Sequence, residues 1–172
     1  MINVIFSNVF RFLAFILIQA LVINNLKLSF YINPYIYPFA LMLLPFNMPQ
    51  WAFILTGFFT GLTMDAFCNT MGMHAAACTF MAFARPAVLG AFTPKGSYEN
   101  IDQSRLLSLG YGWFLSYTGT LTLLHHLVYF YLEVFSFDNF FLTLGKVLLS
   151  AGVSTLLIFL AAMIFFPGKR RG

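Results

Sequence analysis

An aspartate sits inside one of the most apolar stretches of this chain. In residues 51–85, WAFILTGFFTGLTMDAFCNTMGMHAAACTFMAFAR, Gly57, Gly61 and Asp65 follow one another at four-residue spacing. On a helix the three share one face. Small residues at that spacing let two helix backbones approach closely in lipid. A carboxylate in such surroundings is expensive and must face protein or water. It can do one of three things. It can cap the turn that follows, where Asn69, Thr70 and Gly72 supply turn chemistry. It can meet a polar group on a partner, or it can carry a proton or an ion.

The other reactive side chains are sparse. His125 and His126 are adjacent, so on a helix they point about 100° apart. A two-histidine metal site on one helix needs i and i+4. His74 lies on another segment, which makes polar packing inside the bundle the simpler reading for all three. Cys68 and Cys78 lie among apolar or small residues and read as small buried hydrophobes. Arg85 precedes Pro86 and reads as a cation whose stem is buried while its head snorkels to the membrane surface, or binds an anionic lipid headgroup. The chain has no G-x-S-x-G, no phosphate-binding glycine loop and no paired carboxylates at membrane depth. These patterns give no catalytic residues, no cofactor and no metal site.

The elements that hold these residues are membrane helices. Of 172 residues 60% are hydrophobic and 8% charged, and the mean hydropathy is +0.85. Soluble domains carry about 25% charged residues. So few charges cannot cover a water-facing surface. The scattered basic residues do not suggest nucleic acid, and the Lys169-Arg170-Arg171 tail reads as a cytoplasmic anchor. About 20 apolar residues cross the hydrocarbon. The runs 4–23, 28–46, 50–67, 73–92, 106–132 and 142–166 then give an all-α, six-span bundle in one polytopic domain, residues 1–172. The second run holds Pro34, Pro38 and Pro45, so it is expected to be kinked or irregular, with a re-entrant segment as the alternative. Residues 4–23 read as a retained span, not a cleaved signal.

The run Gly57-Phe-Phe-Thr-Gly61-Leu-Thr-Met-Asp65, then Gly72, Ala75 to Ala77 and Ala82-Phe83-Ala84, resembles the central motif of the rod shape-determining protein MreD family. The chain length, the half-dozen spans and the basic tail fit the same family. The resemblance implies a non-enzymatic scaffold of the bacterial cell-elongation machinery, which builds lateral peptidoglycan and maintains cell shape. Its implied partner is an MreC-like bitopic protein, beside MreB, RodA and a penicillin-binding transpeptidase. It also implies a six-helix fold like that of the substrate-binding component of energy-coupling-factor transporters. The residues on which partner contact or packing is expected are Gly57, Gly61, Asp65, Gly72 and Arg85. The rival is a vitamin-binding component of such a transporter. That protein would gather polar groups at the outer ends of several spans, where this chain offers Asp65, Asn69, Thr70, His74 and Glu133.

Six crossings put both termini on one side. With that side cytoplasmic, Arg11, Arg85, Lys95, Arg105, Lys169, Arg170 and Arg171 lie inward, against Lys27 and Lys146 outward. The expected location is the bacterial inner membrane. Reporter fusions at residue 100 and after Gly172 should both read as cytoplasmic, and opposite readings at the two points would refute six crossings.

Overall fold

The computed structural model describes residues 2–25, 32–93, 106–107, 109–136 and 139–165. Lys27, most of the polar 93–105 stretch, Asp138 and the basic tail lie outside the described residues, as does the side chain of Arg11. Among the described residues six α-helices follow in order: α1 (Ile2–Leu21), α2 (Pro38–Met42), α3 (Gln50–Cys68), α4 (Met73–Phe92), α5 (Tyr111–Val134) and α6 (Phe140–Phe165). A 3-10 turn, Ile23–Asn25, ends the first of them. Helices α3, α4 and α6 are each long and apolar enough to cross a membrane. The chain is an all-α, multi-span membrane protein.

Its outer surface is apolar, unlike that of a soluble bundle, and polar side chains are buried within its core. Phe59, Phe83, Phe141, Leu142, Leu149, Leu156 and Ile164 are exposed on the outside of the helices. Gln19, Asp65, His74, Arg85, Thr122, His125, His126, Ser150 and Ser154 are buried inside. Lipid takes the apolar side chains, and polar groups find partners only within the bundle.

Helices α3 to α6 pack in sequence order, each against the next. The α3–α4 contact is the tightest. A Cβ on Gly61 would overlap the His74 carbonyl oxygen and come within 2.5 Å of Ala75 Cα. A Cβ on Gly57 would stand 3.0 Å from both Ala82 Cβ and the Cys78 carbonyl oxygen. The glycines of α3 therefore face Ala75, Cys78 and Ala82 of α4 almost backbone to backbone, as small residues permit. Between the helices Asn69 (φ 55) and Gly72 (φ 81) take left-handed conformations that reverse the chain.

Pro86 lies inside α4 and cannot donate to the Ala82 carbonyl. The Gln50 carboxamide at the start of α3 donates to it instead, at 3.0 Å. The helix runs on through the proline.

The second apolar run departs from a membrane helix. Among its described residues only the five of α2 are helical, and residues 33–36 carry no regular structure although 34–44 are all buried. The prolines remove the donors a helix would need, and side chains from elsewhere replace the lost bonds. Gln19 of α1 accepts from Ile36 N–H at 2.7 Å and donates to the Pro34 carbonyl at 3.1 Å. On α6, Ser150 accepts from Asn33 N–H and Ser154 from Tyr35 N–H. Irregular backbone at membrane depth is tolerated only inside such a protein sheath. The fifth helix also starts later than expected. Gly110 (φ 105) breaks it from residues 106–109, so it begins at Tyr111 and not at 106.

Gly61→Ala is expected to cost about 3 kcal/mol or to prevent folding, since backbone and not a movable side chain blocks the new methyl. Gly57→Ala should cost about 1 kcal/mol, because its neighbours need give only slightly. Thermal unfolding in detergent checks the order. Equal, small shifts at both positions would mean that the two helices separate without strain.

Candidate functional site: a polar core beneath an open cavity

Asp65 stands one turn before the end of α3 and reaches across to the start of α4. Its Oδ1 accepts from His74 N–H at 3.0 Å and from the Thr70 hydroxyl. Its Oδ2 accepts from Ala75 N–H at 2.9 Å. These are first-turn amides of α4, which lack partners within their own helix. The N-cap position is Gly72, which has no side chain to offer. The aspartate thus caps α4 from the neighbouring helix and sets a negative charge at its positive end.

Arg85, two-thirds of the way along α4, is buried, contrary to the expected snorkelling. Its Nε donates to the Tyr117 hydroxyl at 2.9 Å, its Nη1 to the Pro45 carbonyl at 3.3 Å and its Nη2 to the Leu44 carbonyl. The guanidinium also lies over the rings of Phe53 (4.2 Å) and Phe46 (5.0 Å). The chain leaving α2 leaves two carbonyls exposed to apolar surroundings, and a planar fork of donors suits them better than a trip to the headgroups. Neither of the two ions of the α3–α4 hairpin is left over for a membrane partner.

The Tyr37 phenol, just before α2, joins α4 and α5. Its oxygen lies 2.7 Å from His125 Nε2, 3.0 Å from His74 Nδ1 and 3.3 Å from Cys78 Sγ. A phenol has one proton. For uncharged rings, if Tyr37 donates to His125, then His74 must donate to Tyr37 from Nδ1. His74 Nε2 is then a bare acceptor, and His125 carries its proton on Nδ1. If Tyr37 donates to His74, both roles reverse. Among the described residues His74 Nε2 and His125 Nδ1 have no hydrogen-bond partner. When Tyr37 donates to either ring, one of the two is a donor and the other an acceptor; when it donates to the Cys78 sulfur, both are acceptors.

His126 points away from that pair, as adjacent positions on a helix must. Its Nδ1 donates to the Thr122 carbonyl at 2.8 Å, and its Nε2 lies 3.0 Å from Ser154 Oγ. Tyr35 packs its ring against His74, His125, His126 and Tyr129, at 5.0 to 5.8 Å between centroids. Among the described residues no three His, Cys, Asp or Glu side chains are placed to hold a metal ion.

Above this core a cavity of about 430 Å³ lies where α1, α3 and α5 end and α4 begins. Asn24 and Asn25 line it from the end of α1, and Asn33 and Tyr35 from the extended segment. Cys68, Thr70 and His74 come from the α3–α4 turn, Tyr129 and Glu133 from the end of α5. Glu133 is paired with Lys146 at 2.6 Å. Asn24 is held by Gln19 at 2.8 Å and by the Cys68 sulfur at 3.1 Å.

Three of the polar groups expected at this end, Thr70, His74 and Glu133, line the cavity, whereas Asp65 spends its oxygens on α4. Gly57, Gly61, Asp65 and Gly72 all serve the α3–α4 hairpin, and Arg85 serves the loop before it. Sequence reading missed Gln19, Asn33, Tyr35, Tyr37, Ser150 and Ser154. The spacing of Ser150 and Ser154, one helical turn apart in the most apolar helix, was the signal available for a buried polar stripe. No family model, curated protein or solved structure matches this chain.

Asp65→Asn keeps the shape but turns one acceptor into a donor facing an N–H. It should cost about 1–2 kcal/mol, and Asp65→Leu about 3 kcal/mol, with fraying confined to the first turn of α4. Hydrogen exchange at His74 and Ala75 measures this. Unchanged protection in Asp65→Leu would show that the carboxylate does not hold the turn.

Proposed function

We propose that this chain is a non-enzymatic membrane scaffold of the bacterial cell-elongation machinery, similar to MreD, working with an MreC-like bitopic partner. In this reading the extended segment and α2 make the second of six crossings, the termini face the cytoplasm, and the membrane is the inner one. The six-helix arrangement is then of the kind found in substrate-binding components of energy-coupling-factor transporters. MreB, RodA and a penicillin-binding transpeptidase belong to the same proposal. One observation carries it. The residues of the family-like motif are consumed in building a rigid α3–α4 hairpin, with Asp65 spent on helix amides and Arg85 on loop carbonyls. That leaves neither ion for coupling or catalysis and suits a protein whose product is a stable surface.

The Gly57–Gly61 face is covered by α4, so the partner cannot use it, contrary to what the bare spacing suggests. The surface that remains on the same hairpin is its outward side. There Ile54, Phe58 and Leu62 of α3 and Ala76, Phe80 and Phe83 of α4 line an apolar groove. A single transmembrane helix of the partner is proposed to lie there. A second reading, the small-molecule component of an energy-coupling-factor transporter, draws support from the polar cavity.

Photocrosslinkers at Phe58 and Phe83 should capture an MreC-like protein, whereas positions Leu149 and Leu156 of α6 should not. Depletion in a rod-shaped cell should give rounding with vitamin uptake unchanged. Retained rod shape together with a new vitamin requirement would overturn the scaffold in favour of the transporter component.

A further inference from the structure

We infer that the cavity at the α1–α3–α5 end binds a neutral, hydroxyl-rich ligand, a sugar ring either free or as the headgroup of a glycolipid. The inference concerns a ligand of the bundle itself and does not depend on which partner the hairpin holds.

The size comes first. About 430 Å³ falls within the range of small-molecule sites, roughly 300–1,000 Å³. The charge comes next. Glu133 is neutralised by Lys146, and Asp65 is turned into the α4 amides. Among the described residues no arginine or lysine lines the cavity. A phosphate or carboxylate would find no counter-charge among them, and a cation would have to compete with Lys146.

The hydrogen-bonding chemistry then narrows the class. The Asn25 and Asn33 carboxamides each carry donor and acceptor groups, and Thr70, whose proton goes to Asp65, adds an acceptor. His74 lines the same cavity, is fully buried, and has Nδ1 engaged by Tyr37 while Nε2 lacks a partner. That nitrogen is a donor in one arrangement of the Tyr37 proton and an acceptor in the others. A ligand hydroxyl satisfies both, since it donates and accepts; an ether, a ketone or an ammonium group satisfies only one. The lining is predominantly polar, as a ligand carrying several hydroxyls requires.

The test uses the full chain in phosphatidylcholine nanodiscs, prepared without sugar-headed detergents, which would occupy the same site. The probes are methyl β-D-glucopyranoside, a monoglucosyl diacylglycerol in the disc, and glucose 1-phosphate. Thermal unfolding and calorimetric titration are the readouts. Either neutral probe should raise the unfolding temperature. A response to the soluble glucoside assigns a free sugar, and a response to the glycolipid alone assigns a headgroup. Binding should weaken about tenfold in His74→Phe, the equivalent of one lost buried hydrogen bond. Asn25→Leu lies at the exposed rim and should weaken binding without changing the unfolding temperature of the unliganded protein, which guards against a His74 variant that fails to fold. Three results would each overturn the inference: no response to either neutral probe at millimolar concentration, glucose 1-phosphate binding as tightly as the methyl glucoside, or affinity unchanged in both variants.

Discussion

A length of largely non-helical backbone runs through the interior of an apolar bundle, and four polar side chains from three helices hold it. An unsatisfied peptide group in hydrocarbon costs several kcal/mol. Residues 33–36 before α2 and the Leu44 and Pro45 carbonyls after it present a series of them, because the prolines keep the helix to five residues. Gln19, Arg85, Ser150 and Ser154 are the residues that meet this demand. They come from α1, α4 and α6, so the segment ties together helices that are not all neighbours in sequence. The Tyr37 phenol continues the same logic with side chains, binding α4 and α5 through His74 and His125.

The α3–α4 hairpin solves a different problem, the close approach of two helices. Gly57 and Gly61 remove the side chains that would keep the axes apart. Close approach then brings the start of α4 within reach of Asp65, and the carboxylate replaces a cap that Gly72 cannot provide. Gly72 is needed in its own right for the left-handed turn. Spacing, turn and cap therefore depend on one another: a longer loop would carry the amides away from the aspartate, and a bulkier stripe would do the same by separating the helices.

This hairpin was legible in the sequence because every part of it is local. Glycines at i and i+4, an aspartate one turn on and a turn glycine shortly after are all visible within a single window. The helices α3, α4 and α6 were legible for the same reason, by length and hydropathy. The conformation of the second apolar run was legible only as a difficulty. Its prolines announced that a helix would fail, but the partners that make the alternative stable lie on other helices, some of them more than a hundred residues away. Arg85 was misjudged because its partners are the Leu44 and Pro45 carbonyls, and no pattern in a sequence marks a carbonyl as free. The cavity was half visible in Thr70, His74 and Glu133. Its other wall comes from Asn24, Asn25 and Asn33, polar residues that hydropathy does not single out.

The distances along the chain bear on how the protein is made. Asn33 and Tyr35 take their hydrogen bonds from Ser150 and Ser154, 117 and 119 residues later. A ribosome adds roughly 5–20 residues per second, so on the order of ten seconds pass between synthesis of the extended segment and arrival of those hydroxyls. Throughout that interval the segment has only the Gln19 carboxamide from the residues already made upstream, and it cannot rest in lipid with its amides bare. It must wait in a hydrated or chaperoned place, such as the insertion channel or its insertase, until α6 arrives. The pairing of this segment is therefore completed only once α6 is in place.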